Sequence, residues 1–214
     1  MVSIKVYISG NEFSSPWVSN WTGTLSLISN LPPNQLKFNY KFINEKDKFL
    51  ETNLAIAQDA EELQSLDWLV FLSNEILWPA DSFLRLIKNG SYDAISGWHL
   101  NESNTTDIIE RLDTTLLHRN NAINYMSPDE IVKKPLPFKV EYTNMNFFAV
   151  KANTFSQLTQ PYFKQVILEE TTSISNNSVI VPWYYSFCNR LNAIGKEIFV
   201  DPMIRVSKIS RSLL

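Results

Sequence analysis

The sequence predicts an α/β fold in which helices cover both faces of a mixed, mostly parallel central sheet. Strand-like and helix-like patterns alternate along most of the chain. Trp68-Leu69-Val70-Phe71-Leu72 is an unbroken apolar run of strand length, as expected for a central strand buried on both sides. The 214 residues, 44% hydrophobic and 19% charged, can bury one sizeable core but not two large ones, so one domain over 1–214 is expected.

Ile4, Val6 and Ile8 alternate with Lys5, Tyr7 and Ser9 before Gly10-Asn11, which predicts a first strand running into a loop. An apolar stretch from about Trp17 to Ile28 reads as a helix ended by Leu31-Pro32-Pro33-Asn34, since proline cannot continue the hydrogen-bond ladder. Phe38, Tyr40 and Phe42 alternate with Lys37, Asn39 and Lys41 and predict a half-buried second strand. From about Lys46 to Gln64, Phe49, Asn53, Ile56, Ala60 and Leu63 recur along one helical face, with Asn53 a polar residue inside the stripe. The central strand follows and ends in Ser73-Asn74-Glu75.

Pro79, Phe83, Leu84 and Ile87 predict a short helix closed by Asn89-Gly90, and Asp93 to His99 another strand. From about 100 to 140, polar loops surround one expected helix near Ile108–Leu117 and lead to Lys133-Lys134-Pro135-Leu136-Pro137, which reads as an insertion or lid. Met145 to Val150 predicts a buried strand and Ala152 to Leu158 a short helix. Tyr184, Phe187, Cys188 and Leu191 form a helical stripe that stops at Gly195. Ile198-Phe199-Val200 and Ile204-Arg205-Val206 supply two closing strands.

Composition excludes several classes of function. Nineteen Lys plus Arg against 22 Asp plus Glu leave a net charge of −3, so no strong field draws nucleic acid or anionic lipid. A single cysteine allows no internal disulfide or cysteine metal cluster and reads as a reducing compartment. The opening MVSIKVYISGNEF has no signal-peptide core, and no run approaches the roughly 18 apolar residues of a membrane span, so a soluble, cytoplasmic protein is expected. Five glycines form neither GxGxxG nor GxxxxGK[ST], so any phosphate must be held by something other than a glycine-rich loop. The Asn- and Ile-containing, glycine-poor composition suits an AT-rich genome such as that of a virus or phage. Nothing in the sequence fixes an oligomeric state.

Three separated blocks, Asp67 to Leu86, Met145 to Phe163 and Trp183 to Lys208, follow the first strand in an order that resembles the GT-A glycosyltransferases, especially the small family-2-like enzymes. The resemblance implies a nucleotide-sugar donor, a glycan or other hydroxyl acceptor, and Mg²⁺ or Mn²⁺ held by an Asp-x-Asp at the end of the central strand. Carboxylate oxygens suit such hard cations. This chain departs from that pattern: Ser73, Asn74 and Glu75 stand in the motif, and only Glu75 keeps a carboxylate. The family's Glu-Asp before Phe-Cys falls on Trp183-Tyr184, and its metal-shell histidine falls on Lys208.

Three readings of Ser73-Asn74-Glu75 stand side by side. It is an ordinary turn in a fold that has lost its chemistry, serving as a sugar-binding or assembly module. It belongs to an active transferase whose leaving diphosphate is met by fixed cations, with Lys208 in the metal's place, Glu75 orienting it or the sugar, and Arg205 and Arg211 nearby in sequence. Or Glu75 holds a weak metal site with waters. Ser9, Asn11 and Glu45, which follow the first two strands where open sheets of this kind bind ligands, and Asn53, which the resemblance places near the nucleotide, are candidates for the nucleotide, together with Ser73 and Asn74. Asn53 is equally readable as a hydrogen-bonded polar residue in a helix face. Trp98, His99 and Tyr184 are candidates for the sugar or acceptor, with core packing the competing role of Trp98. Glu170, with Glu169 and Glu141, is a candidate acid or base. Cys188 reads as an inert buried thiol and His118 as a residue of the polar insertion. A nucleotidyltransferase on a related sheet would need paired carboxylates that the sequence does not offer.

Overall fold

A computed structural model describes residues 1–44, 48–88, 90–101, 104–110, 125–164, 166–172, 175–181 and 183–209. Its centre is a seven-stranded sheet ordered β2-β1-β3-β7-β5-β10-β6. The strands are β1 (Val2–Ser9), β2 (Leu36–Ile43), β3 (Trp68–Ser73), β5 (Ala94–Trp98), β6 (Phe138–Val140), β7 (Phe147–Lys151) and β10 (Ile198–Arg205). β1 runs parallel to β2 and β3, and β5 parallel to β10. β7 lies antiparallel between β3 and β5, and β6 antiparallel on β10. Five strands therefore point one way, and β7 and β6 are reversed. The expected mixed α/β sheet with helices on both faces is the fold observed.

The two faces are covered by different helices. On one, α1 (Ser15–Ser29) and α4 (Ser82–Lys88) pack through Trp17, Trp21, Phe83 and Leu86 onto Ile4, Val6, Ile8, Val70 and Leu72. On the other, α2 (Lys48–Gln58), α3 (Ala60–Leu63) and α6 (Trp183–Ala193) bring Ile56, Leu63, Phe187, Cys188 and Leu191 against Tyr7, Leu69, Phe71 and Phe148. The period-two alternation of β1 divides its side chains between these layers. α1 starts where Ser14 accepts the Trp17 N–H, with Pro16 in the first turn where a missing N–H costs nothing. Asn20 of α1 exchanges two hydrogen bonds with the Trp78 backbone, which fixes the chain just after β3.

Several sequence expectations change. The single helix expected over Lys46–Gln64 is two: α2 ends at Gln58, Asp59 precedes α3, and Asp59 and Glu62 turn toward Lys5 of β1. Ile108 to Glu110 is not helical, because Ile109 forms an antiparallel bridge with Tyr142. The rest of that expected helix lies outside the described residues. The short helix after β7 is a 3-10 helix, Ala152–Gln157. The two closing strands are one strand, β10, with a register shift between Val200 and Arg205. Elements without a clear pattern are α5 (Pro128–Val132), the edge strand β6 inside the expected insertion, the β8 (Val166–Thr172) and β9 (Ser175–Val181) hairpin, and the two-residue strands β4 (Ile76–Leu77) and β11 (Ser207–Lys208). None of the described helices is long and apolar enough to cross a membrane.

Candidate functional site

The carboxyl ends of β1, β2, β3, β5 and β10 share one rim of the sheet with the amino end of the reversed β7. Ser73 closes β3 there and is fully engaged. Its N–H donates to the Asn146 carbonyl at 2.9 Å, its carbonyl accepts the Trp17 indole N–H at 3.0 Å, and its Oγ accepts the Glu75 N–H at 3.2 Å. Asn74 is 5% exposed. Its N–H donates to the Ser9 carbonyl and its Nδ2 to the Glu12 carbonyl at 2.5 Å, so the side chain lies over Gly10. A Cβ at position 10 would sit 2.2 Å from Asn74 Cγ, so only glycine permits this approach. Ser9, 7% exposed, points its hydroxyl at the Leu72 carbonyl, 3.3 Å away. Ser9, Ser73 and Asn74, candidates for the nucleotide, thus build the rim itself, while Asn11 is exposed on it.

Glu75 is half-buried, and the chain returns to it from far away. β11 pairs antiparallel with β4, setting Lys208 opposite Ile76 and Ser207 opposite Leu77. The Ile209 N–H donates to the Glu75 carbonyl at 2.6 Å. Glu75 and Lys208 are therefore brought together through their backbones. Lys208 is exposed and Glu75 half-buried at this rim.

The rim near β5 is polar and closed. His99 is 3% exposed, with Nδ1 3.1 Å from the Leu100 carbonyl and Nε2 3.1 Å from Asn146 Nδ2. The carbonyl requires the proton on Nδ1, which leaves Nε2 as the acceptor from the asparagine amide. Both ring nitrogens, proposed for substrate, are thus used inside the protein. Asn146 in turn accepts the Ser73 N–H, and Asn144 Oδ1 accepts the Asn146 N–H at 3.1 Å. The sequence reading missed Asn144 and Asn146. Their signal is position: polar residues immediately before an apolar strand lie on the binding rim when that strand is antiparallel to its neighbours.

Three further candidates take other places. Trp98 is not a sugar platform: it is 1% exposed, its indole N–H donates to the Pro202 carbonyl, and the Arg205 guanidinium lies 5.3 Å from its ring centre. Asn53 is a clamp: its Nδ2 donates to the Phe163 carbonyl at 2.7 Å and its Oδ1 accepts the Phe163 N–H at 3.0 Å, which ties α2 to the segment before β8. Tyr184 is half-buried at the start of α6, where burial, with the Asp107 charge, pushes its phenol well above the ordinary value. Glu170 lies in β8 opposite Asn177, and its side chain is outside the described residues, as is Glu45.

A divalent ion of the kind the fold family uses asks for several oxygen ligands, ordinarily with more than one carboxylate. Here the motif offers Glu75 as its one carboxylate, Ser73 Oγ accepts the Glu75 N–H, Asn74 adds a buried neutral amide oxygen, and Lys208 brings a positive charge to the same ladder. Among the described residues no group of three His, Cys, Asp or Glu converges. This donor set does not fit such an ion.

No protein-family model matches the sequence. No curated protein sequence matches it either. Solved structures do share the fold. A197 from STIV superposes with a TM-score of 0.54 at 10% identity, over 100% of this chain and 97% of that one. GalNAc-T7, solved with UDP, GalNAc and Mn²⁺, superposes with a TM-score of 0.55 at 11% identity, over 98% of this chain. That match takes in 44% of GalNAc-T7, so the chain corresponds to less than half of it. At these identities the likeness is one of fold: the chain has the GT-A-like α/β architecture.

Proposed function

We propose that this chain is a glycosyltransferase that moves a sugar from a nucleoside-diphosphate sugar to a hydroxyl acceptor, with Lys208 in place of a carboxylate-bound metal. The observation that supports this most is the β4–β11 ladder, which returns Lys208 to the residue after Glu75 at the end of the central strand. In the reaction the bond from the anomeric carbon to the diphosphate oxygen breaks, and a bond to the acceptor oxygen forms. The leaving diphosphate gains negative charge, which a fixed ammonium stabilises. Glu75 orients the lysine or the sugar, and Glu170 is the candidate to take the acceptor's proton.

Calorimetric titration with UDP-, GDP- and ADP-sugars, each with and without EDTA, tests this reading. Binding that is indifferent to EDTA and falls roughly 10- to 100-fold in Lys208→Met is expected, the range for losing a hydrogen bond to a charged group. Binding that EDTA abolishes, or that Lys208→Met leaves unchanged, overturns it. A second reading, a silent sugar-binding module on the same fold, is favoured by one observation: the neutral Tyr184 where a base would stand. Donor binding without hydrolysis or transfer to any hydroxyl acceptor selects that reading.

A further inference from the structure

β2 is the outermost strand on one side of the sheet. The Tyr40 N–H donates to the side-chain Oδ1 of its own neighbour Asn39 at 2.8 Å, so this amide is turned away from β1. One face of the strand is an aromatic strip. Phe38 and Tyr40 lie 5.8 Å apart, Tyr40 and Phe42 5.7 Å, and Phe13 closes the row 5.2 Å from Phe42. Tyr40 is 42% and Phe42 52% exposed, the largest apolar side chains among the described residues to stand so far into solvent. The opposite face carries Lys37, Asn39 and Lys41, beside Asp59 and Glu62 from the α2–α3 turn. Lys41 Nζ is 3.7 Å from Asp59, and Asn39 Nδ2 is 3.5 Å from Glu62.

We propose that β2 pairs antiparallel with β2 of a second copy of this chain, centred on Asn39, to form a homodimer with one sheet running through both molecules. The strand is self-complementary. Leu36-Lys37-Phe38-Asn39-Tyr40-Lys41-Phe42 is a near palindrome about Asn39, so a two-fold axis there sets Phe38 against Tyr40 and Leu36 against Phe42. Directly opposed aromatic and aliphatic pairs are the stabilising unit of such a ladder. The Phe38–Tyr40 pair is also the one whose Tyr40 N–H already faces outward. On the other face Lys37 meets the second copy's Lys41. Asp59, 3.7 Å from Lys41 on the same face, offsets part of this like-charge contact. An isologous interface needs self-complementarity, because each side must fit itself. Tyr40 and Phe42 together offer on the order of 200 Å² of exposed area per copy, about half of two aromatic side chains. Even with the strand's own edge, this keeps the contact below the size of stable specific interfaces and predicts a weak, transient dimer.

Sedimentation equilibrium of the full chain, from about 1 to 200 μM to span such weak association, is the test. Wild type is expected to pass from monomer to dimer across that range. Tyr40→Lys, an exposed position whose fold is checked by circular dichroism, is expected to remain monomeric. Lys37→Glu, which replaces a like pair across the axis with an opposite one, is expected to tighten the dimer several-fold. A wild type that is monomeric throughout overturns the proposal, and so does a dimer indifferent to both substitutions. A monomer would leave the strip to another occupant, such as an extended peptide. The experiment needs no donor, so its outcome is separate from that of the transferase reading.

Discussion

Lys5 on β1 is 5% exposed yet charged, and its surroundings show what it does. Its Nζ lies 2.9 Å from Asp59 and 2.5 Å from Glu62, and the Tyr7 hydroxyl donates to the same Asp59 oxygen at 2.9 Å. The cluster fastens the α2–α3 turn to β1, one strand in from the edge strand β2. In Lys5→Met the apolar stem is kept and the ammonium removed, so Asp59 and Glu62 are left facing one another, with Lys41 at 3.7 Å as the remaining cation. Breaking one partner out of a buried pair costs about 3–5 kcal/mol. Glu62 is 34% exposed and recovers part of that from water, so about 3 kcal/mol is expected for the variant. For a chain of this length that lowers Tm by roughly 6–12 °C. Urea unfolding followed by tryptophan fluorescence measures the loss directly. The triple variant Lys5→Met, Asp59→Asn, Glu62→Gln, which removes the charges together, is expected to recover at least half of it. A loss under about 1 kcal/mol in the single variant, within the range of an exposed pair, would refute the reasoning.

The same cluster sets an alkaline limit. Burial lowers the Lys5 ammonium, but its bonds to Glu62 and Asp59 and their charges raise it above its ordinary 10.5, while burial and the Asp59 charge raise Tyr7 above 10.0. Both folded values exceed the unfolded ones, so their contribution is full below about pH 10 and falls as pH rises through the folded values. Tyr7→Phe is expected to flatten that fall in pH-dependent urea midpoints. Asn53→Ala, which strips two bonds from the Phe163 backbone, is expected to cost about 1–3 kcal/mol in the same assay. Its donor affinity by calorimetry is expected to match wild type. Gly97→Ala places a Cβ 2.6 Å from Ile204 Cγ2 and 2.9 Å from the Ile204 carbonyl, so β5 and β10 must move apart. It is expected to cost about 1–3 kcal/mol of overpacking, read as a lower Tm. Cys188 is fully buried, and burial pushes its thiol up to about 12. It is expected to resist a thiol reagent at pH 8 until denaturant is added.

The strong periodicities were readable because burial leaves a pattern. The apolar run at 68–72, the alternation of Ile4, Val6 and Ile8, and the stripe of Phe187, Cys188 and Leu191 each mark a surface that must leave water. Short elements escaped for the opposite reason. β4 and β11 have two residues each and are held by pairing across 130 positions of sequence, which no local window registers. At Ile108–Glu110, the described part of the helix predicted there, a bridge to Tyr142 outweighed local propensity. At the site, residue type alone could not separate a polar group offered to a ligand from one spent on the backbone. Asn53 proved to be of the second kind with both amide atoms, and Asn74 and His99 with one nitrogen each. Trp98 was ambiguous between platform and core until its indole N–H was traced to Pro202.

The closure of β11 on β4 also imposes an order on biosynthesis. A ribosome making this chain releases β1, α1, β2 and β3 early, and these can begin burying the tryptophan-rich layer while translation continues. The strip that completes the edge of Glu75 emerges among the last residues described, so a nascent chain can be collapsed while that edge is still open. That edge closes when residue 209 reaches back to the first half of the molecule.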